Sequence, residues 1–179
     1  MAPSPLGPSA PPPGLAEVAE ALGRRSNGKP GVLVVDDSAH VRDLLKAGLD
    51  RDGFQVWLAA DGREALARYR EHRHEIAVVL LDVRMPGLDG PATLDGLRAV
   101  APDVPACFMS GDTGNYGTDE LIRRGASCVV AKPFRLDLLA AVLRLLAQGA
   151  PAESLVPFGV ACPGVSASAV RCTQKGADR

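Results

Sequence analysis

Ile76-Ala77-Val78-Val79-Leu80-Leu81-Asp82 is an unbroken apolar run that ends in a carboxylate and leads into Val83-Arg84-Met85-Pro86-Gly87. A run this short and rich in branched side chains, closed by a Pro-Gly turn, reads as a strand buried on both faces, as in the middle of a parallel sheet. Asp82 then lies at its carboxyl end. Loops beyond that edge of an open α/β sheet are where ligands bind, so the acid is a functional candidate; the competing reading is a cap for the next helix.

Outward from this run the same unit repeats. Val32-Leu33-Val34-Val35 is a second buried strand ending in acids, Asp36 and Asp37, and is followed by Val41, Leu44, Leu45 and Leu49 at helical spacing up to Gly53. Phe54 to Leu58 reads as a strand, and Asp61 caps a helix carrying Ala65, Leu66 and Tyr69. After the Pro86-Gly87 loop, Thr93 to Val100 reads as a helix with Pro91 in its first turn, where the missing amide hydrogen is harmless. Val104 to Met109 is a strand ending in Ser110-Gly111-Asp112, with a short helix near 119–124. Cys128 to Ala131 is the fifth strand, ending in Lys132-Pro133-Phe134. The last helix carries Leu138, Leu139, Val142, Leu143 and Leu146. Five βα units predict an α/β fold, a doubly wound, flavodoxin-like (βα)5 parallel sheet of order 2-1-3-4-5 with right-handed crossovers.

The ends differ in character. Seven of the fifteen prolines fall in residues 1–30, which predicts a disordered Pro-rich arm. Within it Leu15, Val18, Ala19 and Leu22 have the spacing of a short, marginal helix. The folded domain is expected over 31–147, and residues 148–179 are expected to form a flexible tail. At 179 residues the chain is one domain with tails. Its charges, 23% of residues, nearly cancel to a net −1, so no global field recruits nucleic acid or an acidic membrane surface. Cys107, Cys128, Cys162 and Cys172 form no CxxC pair and suit reduced thiols. The start lacks a signal peptide's basic and apolar regions, and no run is long enough to span a bilayer. A cytoplasmic protein without nucleic-acid or membrane partners is expected.

Asp36 and Asp37, Asp82, Ser110 and Lys132 end the first, third, fourth and fifth strands, and the topology puts all of them at one edge. Three carboxylates packed together raise one another's pKa unless a cation joins them, and Mg2+ suits a site with few protein oxygens. The Lys132 ammonium and the Ser110 hydroxyl then complete a pocket for a phosphoryl group, with Asp82 placed as the nucleophile.

The motifs Val-Val-Asp36-Asp37-Ser, Leu-Leu-Asp82-Val-Arg-Met-Pro86-Gly-Leu-Asp-Gly90, Met-Ser110-Gly-Asp and Ala-Lys132-Pro133-Phe134 span residues 31–147. Together they resemble the receiver domain of two-component response regulators, here without a recognisable output domain. The resemblance implies that Asp82 accepts a phosphoryl group from a phosphohistidine on a sensor histidine kinase or histidine phosphotransfer protein. It implies Mg2+ held directly by Asp37 and Asp82, through water by Asp36, and by the Arg84 backbone carbonyl. Lys132 would pair with the phosphoryl oxygens, and Ser110 would swing toward them and pass the state to the fourth helix and fifth strand. Phosphoacceptance and autodephosphorylation would be self-catalysed, with no other enzymatic activity. Partners would be the phosphodonor, a downstream protein to which the signal or the phosphoryl group passes, and a second copy through the face of the fourth helix, fifth strand and fifth helix. Two departures stand out. Val129 replaces the aromatic residue usual three positions before the lysine, so a switch would work through the Ser110 loop and its helix. Arg84 overhangs the pocket, where its cation is expected to alter access of water and the phosphoryl lifetime.

Two other readings compete. An aspartyl-phosphate hydrolase of the haloacid-dehalogenase type uses the same groups but expects its nucleophile on the first strand in an Asp-x-Asp arrangement. A phosphorylation-independent scaffold would keep the fold but not the switch; the intact acids and Lys132 argue against it, Val129 mildly for it. His40, His72 and His74 read as solvated, Cys107 and Cys128 as small core residues, and Arg123-Arg124 as an exposed helix end. Asp112 reads as a loop acid, and Thr113-Gly114-Asn115 lacks the spacing of a phosphate-cradling loop.

Overall fold

The computed structural model describes residues 28–111 and 116–164. The arm's first 27 residues, the loop 112–115 with Asp112, and residues 165–179 with Cys172 lie outside the described residues. The five βα units appear in order: β1 (Gly31–Val35), α1 (Ala39–Arg51), β2 (Gln55–Ala59), α2 (Gly62–Glu71), β3 (Ile76–Asp82), α3 (Gly90–Val100), β4 (Ala106–Ser110), α4 (Thr118–Arg123), β5 (Cys128–Ala131) and α5 (Leu136–Ala147). All five strands pair in parallel in the order β2-β1-β3-β4-β5, as predicted.

The central run behaves as its composition dictates. Val78, Val79, Leu80 and Leu81 have no exposed surface, each burial being worth about 1.5–3 kcal/mol. Alternate residues feed two cores. Val78 and Leu80 join Leu45, Leu49, Leu139 and Leu143 beneath α1 and α5, while Val79 and Leu81 join Ala65, Leu94 and Leu97 beneath α2 and α3. Helix starts are set by capping: Ser38, Asp61 and Asp89 each accept a backbone N–H from the first turn that follows. The amphipathic stripes are narrower than their spacing suggests. Leu44 and Leu138 lie 60% and 40% exposed, at the edges of α1 and α5.

The packed fold extends beyond Ala147, and this corrects the expectation of a flexible tail from 148. Residues Ala152–Phe158 form a 3-10 helix, and Leu155, Val160 and Cys162 are buried in the α1/α5 core. Ala161 lies alongside the edge strand, accepting a hydrogen bond from the Val129 N–H (2.8 Å) and donating its own N–H to the Val129 carbonyl (3.2 Å). Short apolar residues separated by Pro157, Gly159 and Pro163 carry neither a helical nor a strand period, which is why the segment reads as linker. Cys162 belongs to the core, as do Cys107 and Cys128, whose sulfurs lie 3.2 Å apart on neighbouring strands.

Candidate functional site

Register places the site. Val35 pairs with Leu81, so the next residues, Asp36 and Asp82, stand side by side at the ends of β1 and β3. Asp82 is level with Met109, while Ser110 pairs with Ala131, which sets Ser110 one residue further out and Lys132 another. Lys132 reaches back between the two acids, its Nζ donating to Asp82 Oδ1 at 2.6 Å and to Asp36 Oδ2 at 3.2 Å. The remaining carboxylate oxygens are held by backbone amides: Ser38 N–H donates to Asp36 Oδ1 (2.9 Å) and Arg84 N–H to Asp82 Oδ2 (3.0 Å).

The acids are buried, Asp36 at 1% and Asp82 at 8% exposure, and the Lys132 ammonium contacts both. Burial draws the Lys132 ammonium downward. The bond and charge of Asp82, then those of Asp36, outweigh it and leave the lysine above its ordinary value. Ser110 Oγ is, among the described residues, the one buried side-chain oxygen without a hydrogen-bond partner. A buried hydroxyl left unsatisfied costs free energy, so it marks a place where a ligand oxygen would be welcome.

Of the predicted site residues, the structure brings Asp36, Asp82 and Lys132 into direct contact, with Ser110 at the neighbouring strand end. Asp37 is exposed at the start of the β1–α1 loop and the Arg84 side chain is exposed beyond Asp82. Three acids were expected to converge. Among the described residues no group of three carboxylate, imidazole or thiol side chains shares one point, and Lys132 lies between the two acids that do meet. The donors available, two buried carboxylates with a third acid adjacent in sequence, are all oxygen, which is the set a hard divalent cation takes. The residues therefore fit Mg2+.

One positioning residue escaped the sequence reading. Arg42 Nη1 donates to the carbonyls of Asp36 (2.7 Å) and Asp37 (3.0 Å), fixing the backbone that carries both acids. Its place six residues after Asp36, one helical turn into α1, was the available signal. Of the lesser candidates, His40 and His74 are exposed, while His72 caps α2 and packs on Trp57 with ring centroids 5.2 Å apart. Arg123 is exposed, but Arg124 lies over the Tyr116 ring, 5.4 Å from its centroid.

An open parallel sheet of order 2-1-3-4-5, with an acid pair and an ammonium where the strand order reverses, defines the class of doubly wound domains that bind ligands at that switch point. The chain belongs to the response-regulator receiver domain family, whose model matches residues 32–144. The transcriptional regulatory protein PrrA of Mycobacterium tuberculosis is 41% identical over 118 residues, 65% of this chain and 50% of PrrA. The chain thus spans half the length of that relative. The receiver domain of NtrX from Brucella abortus is similar in structure, at 34% identity and a TM-score of 0.60, covering 65% of this chain and 98% of that domain. A chain of the CheX-CheY-BeF3-Mg2+ complex from Borrelia burgdorferi aligns at 28% identity and a TM-score of 0.59, covering 64% of this chain and 87% of that one. Receiver domains act in two-component signalling with histidine kinases or phosphotransfer proteins and generally bind Mg2+ at their phosphorylation site. No helix among the described residues is long and apolar enough to cross a membrane.

Proposed function

We propose that this chain is a phosphorylation-controlled signalling domain in which Asp82 accepts a phosphoryl group from a phosphohistidine. The observation that carries the reading is the Lys132 ammonium held between Asp36 and Asp82, beside a buried and unpartnered Ser110 hydroxyl. A carboxylate oxygen of Asp82 attacks phosphorus, the phosphorus–nitrogen bond to the donor imidazole breaks, and an acyl phosphate forms. Lys132 exchanges its bond to Asp82 for one to a phosphoryl oxygen, and Ser110 Oγ donates its free hydrogen bond to another. Mg2+, taken by Asp37 and Asp82 with Asp36 through water and the Arg84 carbonyl, would neutralise phosphoryl charge. Arg42 keeps the two acidic residues of the first loop in place throughout. The product carries about −1.5 to −2 charge at one spot, and this charge sets the affinity for a downstream partner or is relayed onward. A second copy docking on the face of α4, β5 and α5 would meet Val129 already paired, so its contacts would come from the helices.

Intact mass with acetyl phosphate tests this. Wild type is expected to gain one phosphoryl group only when Mg2+ is present, and Asp82→Asn none. A wild type that gains nothing under any condition would leave a receiver-shaped binding module.

A further inference from the structure

The loop after Asp82 is tied to α4 by a residue outside the described site. That loop folds back on the strand it leaves. Gly90 N–H donates to the Val83 carbonyl (3.1 Å), and a Cβ at Gly90 would lie 2.2 Å from the Asp82 carbonyl oxygen, so the end of the loop packs directly on the Asp82 backbone. Asp89 Oδ1 caps α3 through Ala92 N–H (2.9 Å), and its Oδ2 accepts the Tyr116 hydroxyl at 3.0 Å. The ring of Tyr116, packed at the edge of the α2/α3 core, lies under the Arg124 guanidinium. Arg124 bonds Glu120 on α4 (3.1 Å) and Asp95 on α3 (3.0 Å). Tyr116 therefore joins the Asp82 loop, α3 and α4, and it sits on the same connection as Ser110, six residues on. On β5, by contrast, Val129 is buried with its outward N–H and carbonyl both paired to Ala161 and has no ring to move.

We propose that Tyr116 is a positioning residue that tethers α4 in the unphosphorylated arrangement through its hydrogen bond to Asp89, and that phosphorylation of Asp82 competes with this tether. The inference rests on the phosphoacceptor reading above. In the proposed competition a phosphoryl group on Asp82 draws Ser110 toward itself, and the Tyr116 bond to Asp89 is given up in the process. Coupling is reciprocal: if occupation of the site breaks the bond, removing the bond must tighten occupation by the same free energy. One net hydrogen bond corresponds to about two- to tenfold in affinity.

The test is calorimetric titration of the full chain with beryllium trifluoride in the presence of Mg2+, comparing wild type with Tyr116→Phe, which keeps the ring and removes the hydroxyl. Tyr116→Phe is expected to bind the phosphoryl mimic about two- to tenfold more tightly. Hydrogen exchange of residues 116–124 in the free variant is expected to match that of mimic-bound wild type. A merely structural role for the hydroxyl would lower thermal stability without tightening binding. Equal or weaker binding by Tyr116→Phe, with wild type binding normally, overturns the tether and leaves the phosphoacceptor reading standing. A wild type that neither binds the mimic nor gains a phosphoryl group overturns both.

Discussion

Lys132 contacts two buried carboxylates, Asp36 and Asp82, so its charge is worth most where both acids are ionised. A lysine raised on folding contributes stability that is complete below its unfolded value, about 10.4, and is lost as pH rises through the folded one. Lys132→Met leaves Asp36 and Asp82 facing each other uncompensated. Removing one partner of a buried pair costs about 3–5 kcal/mol, and the 29% exposure of the lysine side chain places this one toward the lower end. Urea midpoints of wild type and Lys132→Met should differ fully at pH 8 and begin to converge only as pH rises past about 10.4; a constant offset through that rise would show that the charge is not what stabilises. Asp36, Asp82 and Lys132 were legible in the sequence because each interrupts an apolar run at a strand end. Arg42 and Tyr116 were not: Arg42 acts on backbone carbonyls, with only its place one turn into α1 as a signal, and Tyr116 acts on Asp89, 27 residues away, which leaves none.

Packing between elements turns on small residues as much as on large ones. Gly48 is a notch in α1 filled by Leu136 from the start of α5. A Cβ there would lie 1.9 Å from Leu136 Cδ2 and 2.9 Å from its Cγ, so the branch point as well as the tip would have to move. Alanine inside a helix ordinarily gains about 1 kcal/mol over glycine, while overpacking costs about 1–3 kcal/mol. Gly48→Ala is therefore expected to lower stability by about 1 kcal/mol in urea denaturation, and a gain of similar size would show that Leu136 yields. Strand and helix identities followed from periodicity, since buried strands read as apolar runs and Asp61 marked the start of α2, while the caps at Ser38 and Asp89 emerged only with the structure. The inner face of each helix was less legible. Leu44 and Leu138 share the helical period yet fall outside the strip that the neighbouring elements cover, which depends on crossing geometry that a single helix does not encode.

For the molecule as a whole, the domain's end lies past the family's match at residue 144. Leu155 is fully buried, and Leu155→Ala is expected to cost about 2–5 kcal/mol, measured by the urea midpoint. A cost near zero would mean that the segment contributes no core. The parallel sheet and its order were readable from five βα repeats; this last segment was not, because its burial depends on a groove that other elements build. Its pairing with β5 has a consequence for how copies of the chain can join. A sheet with two bare margins can recruit a copy at each and grow without limit. Here Ala161 occupies one margin at Val129, while nothing among the described residues pairs with the outer side of β2. A copy adding strand to strand at β5 would first have to displace the Val129–Ala161 bridge, whereas one adding at β2 would meet no such bridge among the described residues.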